Sequence, residues 1–167
     1  MKRLPVILLF TLFSAISYGQ KFAYINTQEI LANMPEVQQA NSNIETFRNQ
    51  LISLGQQKLE ALQKKYKDLE GKQSRGELSP KQLDEEAKKL KLEEEQLTKF
   101  DQESQQKIMK KSEELLKPIR DKVQKAIDDV AKEDGYEFIF DASMGFILYA
   151  DESTNIGDKV KAKLGIK

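Results

Sequence analysis

The apolar residues of this chain fall into segments with different periods. Leu4 to Ala15 is an apolar run broken only by Pro5, Thr11 and Ser14. Lys21 to Asn26 is rich in aromatic and β-branched residues and has polar neighbours on both sides, which predicts a short strand. Asn26-Thr27-Gln28-Glu29 reads as a capping box, in which Asn26 accepts from the backbone of residue 29 and Glu29 reaches back. A short helix from Thr27 to Ala32 should follow. At Asn33-Met34-Pro35-Glu36 a second helix begins, because proline suits the first helical position and an acid there complements the helix dipole.

Beyond Pro35, the residues Val37, Ala40, Ile44, Phe47, Leu51 and Leu54 recur at alternating steps of three and four, a heptad seam. The seam resumes at Leu62, Tyr66 and Leu69, so Leu51 to Leu62 is a step of eleven residues with Gly55 inside it. Such a step locally unwinds a left-handed supercoil. Gly71 to Gly76 interrupts the pattern, and Ser79-Pro80-Lys81-Gln82 restarts it with a cap serine, a first-position proline and a third-position glutamine, marking the tip of a helical hairpin. The return helix carries Leu83, Ala87, Leu90, Leu97, Ile108 and Leu115 on a stripe that also passes through Glu94, Asp101, Ser104 and Lys111. A half-polar seam packs loosely and stays partly wet, since buried polar groups without partners cost free energy. Forty helical residues at about 1.5 Å each make an arm about 60 Å long, too slender for a globular domain. Gly55, the eleven-residue step and the polar return seam are the expected flexing region of that arm.

Pro118 lies within the same helical pattern and predicts a kink. After it, Ile119, Val123, Ala126, Ile127 and Val130 form a richer apolar stripe, and Gly135 stands where a helix ends on a left-handed residue. Tyr136 to Asp141 and Phe146 to Ala150 read as two strands joined through Ala142-Ser143-Met144-Gly145, and a last helix is expected near Ile156, Val160 and Leu164. Phe138-Ile139-Phe140 and Phe146-Ile147-Leu148-Tyr149-Ala150 are apolar on successive residues, the pattern of strands covered on both faces. With the strand near residues 22–26, one chain offers three strands whose open edges invite pairing with other chains. Several such units closing into one barrel would remove every edge.

Composition sharpens this picture. Of 167 residues, 39% are apolar and 32% charged, which argues against one large core. Met1-Lys2-Arg3, the short apolar run and the small residues of Ser17-Tyr18-Gly19 form a leader, residues 1–19, with cleavage before Gln20. A retained anchor is the competing reading, but a span needs about 20 apolar residues. The chain has no cysteine, hence no site for acylation and no disulfide. Without the leader, Lys plus Arg falls from 27 to 25 against 27 acidic residues, a formal net of −2, which speaks against nucleic acid as a partner. There is no His, no nucleophile beside a base and no glycine-rich phosphate loop, so the chain does not read as an enzyme and implies no cofactor or metal.

Taken in order, "FAYINTQEIL", "MPE", a Lys/Glu/Gln-rich hairpin, "LKPIRDKVQKAIDDVAKEDGYEFIFDAS" and "ILYAD" with a short terminal helix resemble the Skp (OmpH) family of periplasmic chaperones. The resemblance implies an α+β fold: a long, coiled-coil-like helical hairpin projecting from a small β body that closes into a barrel on trimerisation. On this reading residues 20–35 and 118–167 are the oligomerisation body, and residues 36–117 the arm, with its tip near 71–79. It also implies an ATP-independent holdase in the periplasm, a homotrimer that encloses unfolded outer-membrane β-barrel proteins and prevents their aggregation. Peripheral contact with a membrane surface is a further implied partnership. The near-neutral mature charge departs from the basic character of the family, so neither lipopolysaccharide binding nor electrostatic capture is carried over.

Two residue sets follow. Ile52, Leu92, Phe100, Met109 and Leu116 lie off the seam and are candidate client contacts, against the plainer reading that they pad its flank or stand singly exposed. Phe22, Tyr24, Ile25, Phe138, Phe140, Phe146, Ile147, Leu148 and Tyr149 are candidate oligomerisation residues. Lysines at 64, 65, 67, 88, 89, 91, 107, 110 and 111 are interleaved with acids and read as solvated helix pairs. A structural coiled-coil adaptor of the envelope is the alternative function, and its sign would be one tight partner rather than promiscuous binding of unfolded chains.

Overall fold

The computed structural model describes residues 20–166, and the expected leader, residues 1–19, lies outside them. The chain runs β1 (Phe22–Ile25), α1 (Thr27–Ala32), α2 (Pro35–Ser74), α3 (Pro80–Asp134), β2 (Phe138–Asp141) and α4 (Gly157–Leu164), with 3-10 turns at Ala142–Met144 and Glu152–Thr154. This is an α+β fold in which two long helices form a hairpin standing on a small body built from both ends of the chain.

Local chemistry sets the element ends. Asn26 accepts from the Glu29 N–H at 3.1 Å and starts α1. The Glu29 carboxylate does not complete the box; it takes Lys161 Nζ at 2.8 Å and ties α1 to α4. Ser79 and Gln82 form both halves of a capping box at the start of α3, with Pro80 in the first turn. Gly135 ends α3 at φ 70°, a left-handed conformation that a side chain would disfavour. Pro118 is accommodated inside α3, which is continuous across it.

In the body, β1 and β2 pair in parallel, Phe22 opposite Phe138 and Ile25 opposite Asp141. Side chains alternate between the faces of a strand. Ala23 and Ile25 are accordingly buried, and Phe22 is exposed. The buried face rests on Ile30, Met34, Val123, Ala126, Ile127, Val130, Ile156 and Val160, which join α1, the base of α3 and α4 in one core. Each large apolar side chain buried there stabilises the fold by about 2 kcal/mol. The apolar side chains buried along the arm are Ala40, Ile44, Leu62 and Leu90, so stability is concentrated in the body.

Expectations about the third strand and the seam are corrected as well. Residues 146–150 form no strand in the single chain, and the 3-10 turn with Gly145 leads β2 away instead of folding a hairpin back on it. A segment apolar on both faces needs cover on both, which one protomer does not supply. Leu54, Tyr66 and Ala87, assigned to the seam, are exposed, whereas Gly55 is half-buried.

Asp141 locks the body. Its carboxylate accepts from the Thr27 N–H at 3.2 Å, the Thr27 hydroxyl at 2.5 Å and the Ser143 N–H at 2.9 Å, joining the end of β2 to the start of α1. Partial burial pushes its pKa up, but the bonds from Thr27 and Ser143 outweigh that and hold it below the ordinary carboxylate value. The Asp141→Ala variant is expected to be less stable by about 1 kcal/mol near neutral pH. Because the folded pKa is depressed, this contribution is complete above the unfolded value of about 3.9 and is lost as pH falls through the folded value. Thermal unfolding across pH should therefore show wild type and variant separated at neutral pH and converging at the acid end.

Candidate functional site

The outer face of the β1–β2 pair is an uncovered aromatic cluster. Phe22 stacks on Phe138 with ring centroids 5.6 Å apart, and Phe140 lies 6.2 Å from Phe22 and 6.4 Å from Phe138. All three rings remain about half exposed. Tyr24 shares this face and donates its hydroxyl to Glu152 at 3.4 Å. Desolvation first, and the Glu152 charge second, raise the Tyr24 pKa above its ordinary value, so this hydroxyl stays protonated.

In residues 146–150, Phe146, Leu148 and Tyr149 are almost wholly exposed, Leu148 at 97%. The opposite edge of β1 is occupied, since the Ile156 N–H donates to the Tyr24 carbonyl at 3.0 Å. Among the described residues the outer edge of β2 has no strand beside it. The body of one chain thus leaves an aromatic face, a free strand edge and an unpaired apolar segment exposed, the kind of surface that marks an interaction site. Ile147 is half-buried. Ile25 does not belong to this surface: at 1% exposure it is part of the protomer's own core. Strand alternation carries that information, because Ile25 shares its face with Ala23 and not with Phe22 and Tyr24.

Along the arm, Ile52, Leu92 and Met109 are exposed, while Phe100 and Leu116 are half-buried. Phe100 has an internal partner. Its ring edge lies 3.4 Å from where a side chain on Gly55 would begin, and Lys58 Nζ sits 5.5 Å above the ring. Gly55 is therefore a seam position whose missing side chain is replaced by the Phe100 ring across the hairpin. Next to it Ser104, one of the polar seam residues, is buried, and its Oγ has no hydrogen-bond partner. Of the nine cluster lysines, three are paired: Lys65 meets Glu93 across the hairpin at 2.5 Å, Lys88 meets Asp84, and Lys89 meets Glu86. Exposed pairs of this kind contribute little each and set register more than stability.

Among the described residues no three His, Cys, Asp or Glu side chains converge as a metal cluster, and no helix is long and apolar enough to cross a membrane. The chemistry on display is apolar and hydrogen-bonding surface.

Comparison with known proteins agrees with this architecture. The family described as outer membrane protein (OmpH-like) matches residues 21–164. A protein of Aquifex aeolicus, itself uncharacterised, is 30% identical over 160 residues, covering 93% of each chain. The crystal structure of a candidate outer membrane chaperone (OmpH-like) from Caulobacter crescentus superposes with a TM-score of 0.73 over 87% of this chain and 84% of that one, at 15% identity. At that identity the likeness shows a shared fold.

The Gly55–Phe100 contact yields a direct test. Gly55→Ala is expected to stabilise the arm by about 0.5–1 kcal/mol, because its Cβ would meet the ring at 3.4 Å, an ordinary contact distance. Phe100→Ala is expected to cost roughly half the 3–5 kcal/mol of a fully buried Phe→Ala change. Amide hydrogen exchange reads both. In wild type, residues 50–62 and 94–111 should exchange faster than residues 119–134, and Gly55→Ala should slow the first stretch; equal protection in arm and body would rule out a flexing region there.

Proposed function

The chain belongs to the OmpH-like family of outer membrane proteins, and on that premise we propose that it is an ATP-independent periplasmic holdase that encloses unfolded outer-membrane β-barrel proteins and keeps them from aggregating. The observation that carries this reading is the joining of a slender, polar two-helix arm to a body whose apolar face and edge are left uncovered. A body of that kind is completed by copies of itself, and each added copy brings another arm, so assembly builds a cage.

In this reading residues 1–19 are a leader removed before Gln20, residues 20–35 and 118–167 form the assembling body, and residues 36–117 form the arm. Three copies associate through Phe22, Tyr24, Phe138, Phe140, Phe146, Ile147, Leu148 and Tyr149. Ile52, Leu92 and Met109 offer the client separate apolar contacts, with the exposed parts of Phe100 and Leu116 beside them. Contacts so dispersed hold a chain weakly, and release follows from the client's own folding, with no nucleotide and no catalysis. Any approach to a membrane is peripheral. The description of the Caulobacter relative as an outer membrane chaperone supports the same role.

The test is light scattering after a urea-unfolded outer-membrane barrel protein is diluted into buffer with increasing mature chain. Scattering is expected to vanish with a break near three chains per client; unchanged scattering at excess points instead to an envelope adaptor with one defined partner. Leu148→Asp adds the link to assembly. Leu148 is 97% exposed in the protomer, so the substitution spares the protomer fold. It is expected to shift sedimentation to the monomer and to abolish suppression of scattering; an intact trimer would remove Leu148 from the interface.

A further inference from the structure

Helix α2 changes character along its length. From Gln38 to Gln57, every exposed side chain on the side opposite buried Ala40 and Ile44 is a Gln, Asn, Ser or Thr. The charged residues of this stretch, Glu45 and Arg48, stand at its flank and pair with each other at 3.2 Å. Alongside, α3 carries exposed ion pairs, Lys99–Glu103 at 3.8 Å and Lys117–Asp121 at 2.6 Å, and α2 itself has Lys72–Asp68 at 2.8 Å nearer the tip. Pairs at that spacing support a solvated helix, and the neutral side forgoes them. It is also made of poor helix formers. Ser42, Asn43, Thr46, Asn49 and Ser53 favour the helix less than Lys, Glu or Ala, because their side chains compete for backbone hydrogen bonds. A local rule broken on an exposed face, with no packing to compensate, is expected where a surface has a function. Gln39 donates to Asn43 at 3.1 Å, and among the described residues the other amides and hydroxyls of this side bond to nothing in the chain. Thr46, Asn49, Gln50, Ser53 and Gln57 line a shallow trough of 480 Å³, with Leu54 at its edge.

We propose that this side of α2 binds the main chain of an unfolded polypeptide, its amides and hydroxyls bonding to peptide N–H and C=O groups. The identity of the occupant rests on the holdase reading above. A carboxamide both donates and accepts, as a peptide group does. An unfolded chain presents that pair of groups at every residue except proline, whatever its sequence. The two surfaces also match in charge, since both are neutral, and a wall without a field holds acidic and basic segments alike. The stretch is about 30 Å long at 1.5 Å per residue, room for about nine extended residues at 3.3 Å each. Ile52 and Leu54, 50% and 43% exposed, stand on its two flanks, where side chains leaving either side of an extended chain would meet them. Each such bond is weak because water competes for it, so the hold is spread over many groups and easily released.

The test uses the mature assembled protein and two peptides with the sequence of one barrel strand, one of them N-methylated at alternate residues and so short of N–H donors. Binding is followed through the side-chain amide resonances of Asn49, Gln50 and Gln57. Saturable shifts are expected with the unmodified peptide. A neutral hydrogen bond is worth about fivefold, so losing two or more should weaken the methylated peptide at least tenfold. In the variant Asn49→Ala/Gln50→Ala/Ser53→Ala, read through Gln57, the two peptides should differ by less than about threefold. Alanine favours the helix, so this variant should melt no lower than wild type, and lost preference cannot be put down to unfolding. The variant Glu103→Ala/Gln106→Ala/Lys110→Ala on α3 should keep the full preference. Equal binding of the two peptides by wild type, or a tenfold preference surviving in the α2 variant, overturns the proposal. So does a changed sedimentation of the α2 variant, which would give this side to a second copy of the chain. Suppression of barrel-protein scattering by wild type is measured alongside: if it is intact while the preference is absent, the holdase reading stands without this site, and if it is missing, the assigned occupant falls with that reading.

Discussion

The parallel pairing of β1 with β2 is the contact on which the remainder of the molecule depends. Parallel neighbours cannot be joined by a tight turn and need a crossover of a dozen residues or more. Here the crossover is the whole helical hairpin, since the pairing brings Thr27 to Asp141, 114 positions apart. Closing this loop roots both long helices in one core: Met34 enters it just before α2 begins, and Val123, Ala126, Ile127 and Val130 enter it from the base of α3. An exposed ion pair between Lys122 and Glu36, at 2.7 Å, spans the two roots. The direction of the arm is therefore set by the packing of ten buried side chains at its foot and not by contacts along its length.

That division follows from where apolar residues were placed. The stripe of the return helix passes through Glu94, Asp101, Ser104 and Lys111, so the two long helices share no continuous hydrophobic seam. Buried apolar side chains stand on both sides of the arm's middle, Ala40 and Ile44 towards the foot and Leu62 and Leu90 towards the tip, and midway the seam is replaced by a glycine facing a phenylalanine and by a serine without a partner. The body shows the reverse condition, with more apolar surface than one chain can cover. Arm and body thus depart from a self-contained globule in opposite senses, one short of apolar cover and the other left with too much of it.

Much of this was legible in the residues because it is local. The cap at Asn26, the capping box at Ser79 and Gln82 and the left-handed glycine at 135 each involve residues within a turn of one another, and each stands where the pattern put it. What escaped reading depends on partners distant in the chain. Gly55 and Phe100 are 45 positions apart, and their contact follows only once the hairpin register is known. Glu29 looked like half of a local box until α4 brought Lys161 to it. Residues 146–150 have the composition of a strand, but among the described residues nothing pairs with them. Ile25 was misread for a simpler reason: the whole strand was assigned to one surface although its side chains alternate between two.

The route from β1 to β2 also bears on the order in which the molecule forms. Contacts between sequence neighbours close early, whereas pairings across long separations wait for the chain to lose the entropy of the intervening loop. The hairpin can zip from its capped tip at Ser79 while both ends are still loose, and each turn gained brings the two strands nearer. β1 is synthesised first and yet pairs last, so its aromatic side chains stay unpaired until nearly the whole chain has been made. In kinetic terms the arm is the body's assembly jig, and a change at the distant tip would slow the closure of a core it never touches.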